Sequence, residues 1–215
     1  MSQARRANPR HLRKLVLATR NARKLRELAR ILGDGVQVLG LADVPPFEEL
    51  PETGATFEEN AADKARQAAL ETGEVALADD SGLAVDALNG MPGVLSARWS
   101  GRHGDDSANT ELLLGQLADV PDERRGAAFV CALALATPDG RVQVVRGEWR
   151  GRIGRQVLGT NGFGYDPVFV PAESDVAGDG RTSAELSPAE KDALSHRGRA
   201  IGLMLPVLQE LLDRQ

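Results

Sequence analysis

Short compact apolar runs and helix-period apolar stripes take turns along this chain. Leu15-Val16-Leu17-Ala18 is a compact run, and Leu25, Leu28, Ile31 and Leu32 then recur at helical spacing up to Gly33. This predicts a strand, a polar turn and a helix that Thr19 or Asn21 can cap. Residues 36–41 predict a second short strand. Pro45, Pro46 and Pro51 then break the chain into a loop carrying Glu48, Glu49 and Glu52. Thr56-Phe57-Glu58-Glu59 has capping-box spacing and opens a predicted helix running to Thr72. Val75-Ala76-Leu77 predicts the end of a buried strand, with Ala78-Asp79-Asp80-Ser81-Gly82-Leu83 placed directly after it. Those are residues that turns prefer, so a plain solvated turn is the bland reading of that stretch.

Beyond it, Val85-Asp86-Ala87-Leu88 leads to Asn89-Gly90, a hairpin-type turn signal. Asp105-Asp106 predict a cap for a helix over residues 108–117, with Leu112, Leu113 and Leu117 facing inward. Residues 127–136 predict a strand with two apolar faces. Phe129, Cys131, Leu133 and Leu135 point one way, and Ala128, Val130, Ala132 and Ala134 the other, towards something closely packed. Asp139-Gly140 joins this strand to residues 141–150 as an antiparallel hairpin. Residues 151–164 are glycine-rich and aperiodic, which predicts a loop before a short strand at 168–170; residues 171–181 predict a second loop. Ser187-Pro188-Ala189-Glu190 is another capping box, and Ser195-His196-Arg197-Gly198 opens a last helix with Ile201, Leu205, Leu208 and Leu212 as its apolar stripe.

Composition narrows the classes. The 215 residues suffice for one large domain or two small lobes. The formal charge of −5 combines +5 on residues 1–14 with −10 on the rest, so the body is acidic and argues against a nucleic-acid surface. The basic residues 1–14 are expected to form a disordered extension. One cysteine excludes an internal disulfide framework and fits a reducing compartment, and buried in its strand Cys131 is expected to be a small core residue. The N-terminus has no apolar signal region, and the apolar run at 127–136 is about half the ~20 residues a membrane helix needs. A soluble, cytoplasmic protein is expected.

Several parts share one chemistry. The adjacent carboxylates Asp79 and Asp80 suit Mg²⁺ and proton transfer from water. The helix start at residues 19–24 offers free N–H groups to an anion, with Lys24 one turn in, though a capped helix with a solvated lysine is the equal alternative; no P-loop is present. Asn60 and Lys64 share a helix face, and an asparagine there lowers propensity, which hints at a site. Glycines flank Phe163, leaving its ring free to stack on a base. Arg197 is a planar multiple donor suited to a carbonyl or phosphate. Lys24, Lys64 and Lys191, the His196-Arg197 pair, the acids and this aromatic are what a nucleoside triphosphate with Mg²⁺ would require.

Seven collinear blocks resemble the inosine triphosphate pyrophosphatase family over residues 15 to about 210. They are Thr19-Arg20-Asn21-Ala22-Arg23-Lys24, Glu58-Glu59-Asn60-Ala61-Ala62-Asp63-Lys64-Ala65 and Ala78-Asp79-Asp80-Ser81-Gly82-Leu83, then Pro92-Gly93-Val94-Leu95-Ser96-Ala97-Arg98, Gly162-Phe163-Gly164-Tyr165-Asp166-Pro167 and Ala184-Glu185-Leu186, and finally Glu190-Lys191 with Ser195-His196-Arg197-Gly198. The resemblance implies an α/β fold with a long curved mixed sheet and flanking helices, its two lobes enclosing a nucleotide cleft. Residues 15–215 would form this single two-lobed domain and work as a homodimer. It implies Mg²⁺-dependent hydrolysis of non-standard purine nucleoside triphosphates (ITP, dITP, XTP) to the monophosphate and pyrophosphate.

By the same resemblance, residues Thr19 to Lys24 cradle the phosphates, Asp80 is general base and metal ligand, and Glu52 helps hold the metal. Ser81 contacts substrate, and Phe163, Gly164, Tyr165, Asp166, Lys191, His196 and Arg197 form the base and phosphate pocket, with Asn60 and Lys64 beside it. An Arg197 donor would favour a purine 6-carbonyl over a 6-amine. The chain departs from the family pattern at Arg20, where glycine is frequent, at Asp192, where asparagine is, and in a longer loop at 173–181. A related pyrophosphatase for modified pyrimidines or ordinary dNTPs is the alternative.

Overall fold

A computed structural model describes residues 14–32 and 37–213. The expected basic extension, except Lys14, lies outside the described residues, as do Val36 and the Leu32 and Leu212 side chains. In chain order the elements are β1 (Lys14–Leu17), α1 (Ala22–Leu32), β2 (Gln37–Gly40), α2 (Phe57–Thr72), β3 (Val75–Val85), α3 (Asp106–Gln116), β4 (Gly126–Ala136), β5 (Val142–Ile153), β6 (Phe169–Pro171), α4 (Ala172–Ala177), α5 (Pro188–Leu194) and α6 (His196–Asp213). The strands form one mixed sheet in the order β2-β1-β3-β4-β5-β6. β1 runs parallel to β2 and β3, and the later pairs are antiparallel. Helices cover the sheet, giving the expected α/β, two-lobed architecture.

β4 is the spine, and its alternation is as its sequence predicts. Ala128, Val130, Ala132, Ala134 and Ala136 pack with Ala61, Ala65, Ala68 and Ala69 of α2. Methyl groups meet methyl groups, so helix and sheet approach closely. Cys131, Leu133 and Leu135 pack on the other face with Leu28 of α1 and Ile201, Met204 and Leu208 of α6. The buried Cys131 thiol is pushed up to about 12 by its burial, which leaves it a packing group. A third cluster fills the far end of the sheet around Phe129, Trp149, Tyr165 and Phe169, with Leu113 and Leu117 of α3.

Four sequence expectations are corrected. The Asp79-Asp80-Ser81-Gly82 stretch is neither a turn nor a strand's end: β3 continues through it to Val85 because β4 pairs with it throughout, Asp79 opposite Leu133 and Asp80 opposite Ala132. Beyond Val85 the chain forms a 3-10 turn, Asp86–Leu88, and then turns at Asn89-Gly90 as the sequence signals. The loop expected from residue 151 starts at Gly154, since β5 extends to Ile153 by pairing with β6. Residues 172–177 of the second expected loop are helical, and Glu173 and Asp175 tie that helix to Arg199 and Arg152. Leu112 and Leu205, expected inside, are 38% and 36% exposed; Met204 takes the inward position expected of Leu205.

One break in the sheet creates the cleft. β1 pairs with β3 only as far as Leu17 opposite Leu77, so among the described residues the edge of β3 beyond Leu77 has no neighbouring strand. Buried backbone groups there still need partners. Lys64 Nζ donates to the Asp79 carbonyl at 2.7 Å, and the Leu83 amide donates to Ser96 Oγ at 2.9 Å. Ser96 belongs to a 3-10 turn, Gly93–Arg98, that comes so close that a Cβ on Gly82 would lie 2.6 Å from the Gly93 carbonyl oxygen. Gly82→Ala is therefore expected to cost roughly 1–3 kcal/mol in urea unfolding, and an unchanged midpoint would show that the turn yields freely.

Candidate active site

Strand alternation divides the two adjacent aspartates between opposite faces of the sheet. Asp80 faces α2, where Asn60 Nδ2 donates to its Oδ2 at 2.9 Å and Lys64 Nζ stands 3.8 Å from its Oδ1. The Ser81 amide donates to the same Oδ1 at 3.0 Å. Burial pushes the Asp80 carboxyl above the ordinary aspartate range, against the pull of Lys64 and Asn60. Asp79 faces the other way. Its Oδ2 takes an ion pair from Lys24 Nζ at 2.9 Å and a hydrogen bond from Ser81 Oγ at 3.0 Å, with Arg197 Nε 3.6 Å away. Burial opposes its charge, but Lys24, Arg197 and Lys64 outweigh burial and hold the carboxyl well below the usual range. Two neighbours in sequence thus titrate apart.

The turn before α1 contributes the next wall. Asn21 Oδ1 accepts from the Arg23 and Lys24 amides at 3.0 and 3.3 Å, so Asn21 is the cap, while Thr19 Oγ1 accepts from the Asn21 amide at 3.2 Å. Thr19, Arg20, Asn21, Arg23 and Lys24 line the cavity; Ala22 does not. Arg20 pairs with Glu49 and Arg23 with Asp106, the latter at 2.7 Å.

At the other end stands the ring of Phe163, with the cationic groups of Arg197, Lys191 and Arg23 at 5.2, 5.4 and 5.6 Å from its centroid. Asp166 organises this end. Its Oδ2 accepts from Lys191 Nζ at 2.6 Å and from the Phe163 amide at 2.8 Å, and its Oδ1 accepts from Ser183 Oγ at 2.7 Å. Arg197 donates to Glu27 Oε2 and to Ser81 Oγ, both at 2.8 Å. His196 is buried and stacked on Phe129 at 5.0 Å; burial, with Arg197 and Lys191 nearby, holds it well below its usual range, so it offers a neutral ring. Tyr165 is held by its hydroxyl, which donates to the Ser96 carbonyl at 2.9 Å.

All of these sequence-predicted residues except Ala22, Asn60 and Asp79 line one cavity of about 410 Å³; Asn60 stands behind Asp80. Two residues escaped the sequence reading. Glu27 is a buried acid that joins α1 to Lys191 at 3.8 Å and to Arg197. Its signal was its place three residues after Lys24 and next to Leu28, on the inner side of the helix. Asp106 holds Arg23 and accepts from the Gly164 amide at 2.9 Å, while Asp105 alone caps α3.

Among the described residues no group of three or more His, Cys, Asp or Glu is arranged to hold a metal. Two of the carboxylates that line the cavity, Asp80 and Glu52, are bridged by Lys64, which stands 2.9 Å from Glu52. Such a donor set fits an ion that keeps most of its ligands as water or phosphate oxygens, which is the habit of Mg²⁺ rather than of a caged metal.

Cations around a buried carboxylate, with a flat ring at one end, are the chemistry that would suit a polyanion bearing an aromatic group. The Ham1 family profile matches residues 15–207, and the chain belongs to that family. It is 64% identical to a dITP/XTP pyrophosphatase of Nocardia farcinica over 205 residues, 94% of this chain and 97% of the relative. It is 63% identical to one of Mycobacterium tuberculosis over 202 residues, 92% of this chain and 96% of the relative. Among solved structures, the nucleoside-triphosphatase / dITP/XTP pyrophosphatase of Mycobacterium abscessus superposes with a TM-score of 0.74 at 63% identity, covering 90% of this chain and 99% of that one. The Ham1 protein of Staphylococcus aureus gives 0.81 at 39% identity, with 92% and 99% covered.

Proposed function

We propose that this protein hydrolyses non-standard purine nucleoside triphosphates (dITP, ITP and XTP) between the α- and β-phosphates, releasing the monophosphate and pyrophosphate. The observation that carries this is Asp80: a carboxylate with a raised pKa, oriented by Asn60 and the Ser81 amide, in a cavity lined by Lys24 and Lys64 and ended by Phe163. The pyrophosphatase names of its relatives point the same way. Asp80 takes the proton of the attacking water, and its raised pKa makes it a stronger base than an ordinary aspartate. Lys24 and Lys64 share their charge with phosphate oxygens. Phe163 stacks on the purine, with Lys191 and Arg197 beside its ring as donors to a 6-carbonyl. Asp80 and Glu52 would hold Mg²⁺, which when bound neutralises charge on the phosphates. Mg²⁺ dependence and a homodimer belong to the same reading. No described helix is long and apolar enough to cross a membrane.

The test is incubation with Mg²⁺ and ITP, XTP, ATP, GTP or dTTP, with products resolved. Pyrophosphate from the first two alone is expected. Orthophosphate as product, or equal turnover of ATP, would sink the proposal.

The pH profile gives a sharper check. The base must be ionised, so kcat/KM rises with pH through the Asp80 pKa and then levels. Lys64 is the strongest charge opposing the upward push of burial. Lys64→Met should therefore move the acid limb to higher pH, and an unmoved limb would assign it to another group.

A further inference from the structure

Among the described residues seven lysines and arginines line the cavity, and six of them already face a protein carboxylate. The seventh is Arg98. Among the described residues its guanidinium has neither a hydrogen bond nor an ion pair. It is partly buried, at the last position of the 3-10 turn that closes on the free edge of β3. The turn is firmly held. Ser96 Oγ donates to the Gly93 carbonyl at 2.6 Å and accepts from Leu83, and the Ser96 carbonyl accepts from Tyr165. Arg98 thus reaches into the cavity from a fixed backbone.

Arg98 lines the cavity together with Glu52 and Lys64, and its charge favours the ionised form of Glu52 at that end. The cations set over Phe163 are Arg23, Lys191 and Arg197. Asp80 is the proton acceptor between these ends. A partly desolvated guanidinium with no hydrogen-bonded partner is incomplete until a ligand supplies one. Each paired cation must share its charge with a carboxylate, whereas Arg98 has all its donors free. Its planar fork matches two phosphate oxygens at once.

We propose that Arg98 grips the terminal phosphates of the substrate, the β and γ groups that leave as pyrophosphate. This rests on the function proposed above and adds the residue that recognises the leaving group.

The experiment uses the full-length protein with Mg²⁺, and inorganic pyrophosphate and inosine monophosphate as inhibitors of dITP hydrolysis. Arg98→Gln is expected to weaken pyrophosphate inhibition by about 10- to 100-fold, the loss of one or two charge-assisted hydrogen bonds, and to leave inhibition by the monophosphate unchanged. Arg98→Lys keeps the charge without the fork and should fall between; it decides the matter if the glutamine variant does not fold. Arg102→Gln, at an 84% exposed side chain 3.7 Å from Asp105, should change neither constant. Unchanged pyrophosphate inhibition, or equal weakening of both inhibitors, overturns the assignment. A wild-type protein that releases no pyrophosphate from dITP overturns the functional reading instead, and the two failures are told apart by that control.

Discussion

Asp80→Asn should leave a folded protein whose turnover of dITP is lower by roughly 10²- to 10⁴-fold, the usual contribution of a positioned general base. The amide keeps the volume, so the strand register opposite Ala132 and the packing on α2 survive. What goes is the proposed proton acceptor, together with the charge that Lys64 faces at 3.8 Å. Loss of kcat with an unchanged melting temperature is the expected signature. A loss under about tenfold would take Asp80 out of the proton transfer.

Asp79→Asn should act on the fold instead. The Asp79 carboxylate is fully buried, with the Lys24 ammonium at 2.9 Å and Arg197 at 3.6 Å. Removing one partner of a buried ion pair leaves the other charge stranded, at a cost of about 3–5 kcal/mol. Against a total stability of roughly 5–15 kcal/mol, that is enough to unfold a marginal protein near body temperature. The sign with pH follows from the depressed pKa: this stabilisation is present above the unfolded value of an aspartate and is lost as pH falls through the folded one. Urea titration of Asp79→Asn, Lys24→Met and the double variant measures the coupling. If the two single losses simply add, the pair is not coupled.

The sequence made the helices legible because their ends are written in short-range chemistry. Thr56 and Ser187 cap where their patterns say, and Asn21 caps α1. The aspartate stretch was harder. Asp79 to Gly82 are turn-formers by propensity, and only pairing with β4, some fifty residues later in the chain, keeps them extended. Propensity is local and pairing is not. The same holds for Leu112 and Leu205, whose helical spacing allowed two orientations that only the packing decides. Of the site, the residues with recognisable neighbours were found. Glu27 and Asp106 act through partners far along the chain, and the inward position of Glu27 on α1 is the one local sign of it.

The alanine seam between α2 and β4 has a mechanical meaning. Ala61, Ala65, Ala68 and Ala69 meet Ala128, Ala132, Ala134 and Ala136 with no rotatable side-chain bonds between them. Larger residues would add hydrophobic stabilisation, but they would also give the interface alternative conformations, each with its own helix-to-sheet spacing. A seam of methyl groups has one thickness, so it behaves like a shim of fixed gauge. Asn60 and Lys64 ride on that helix, and their reach to Asp80 inherits its tolerance. A single added methylene in the seam would be felt first as a loosened hold of Asn60 and Lys64 on Asp80 and only second as a loss of stability.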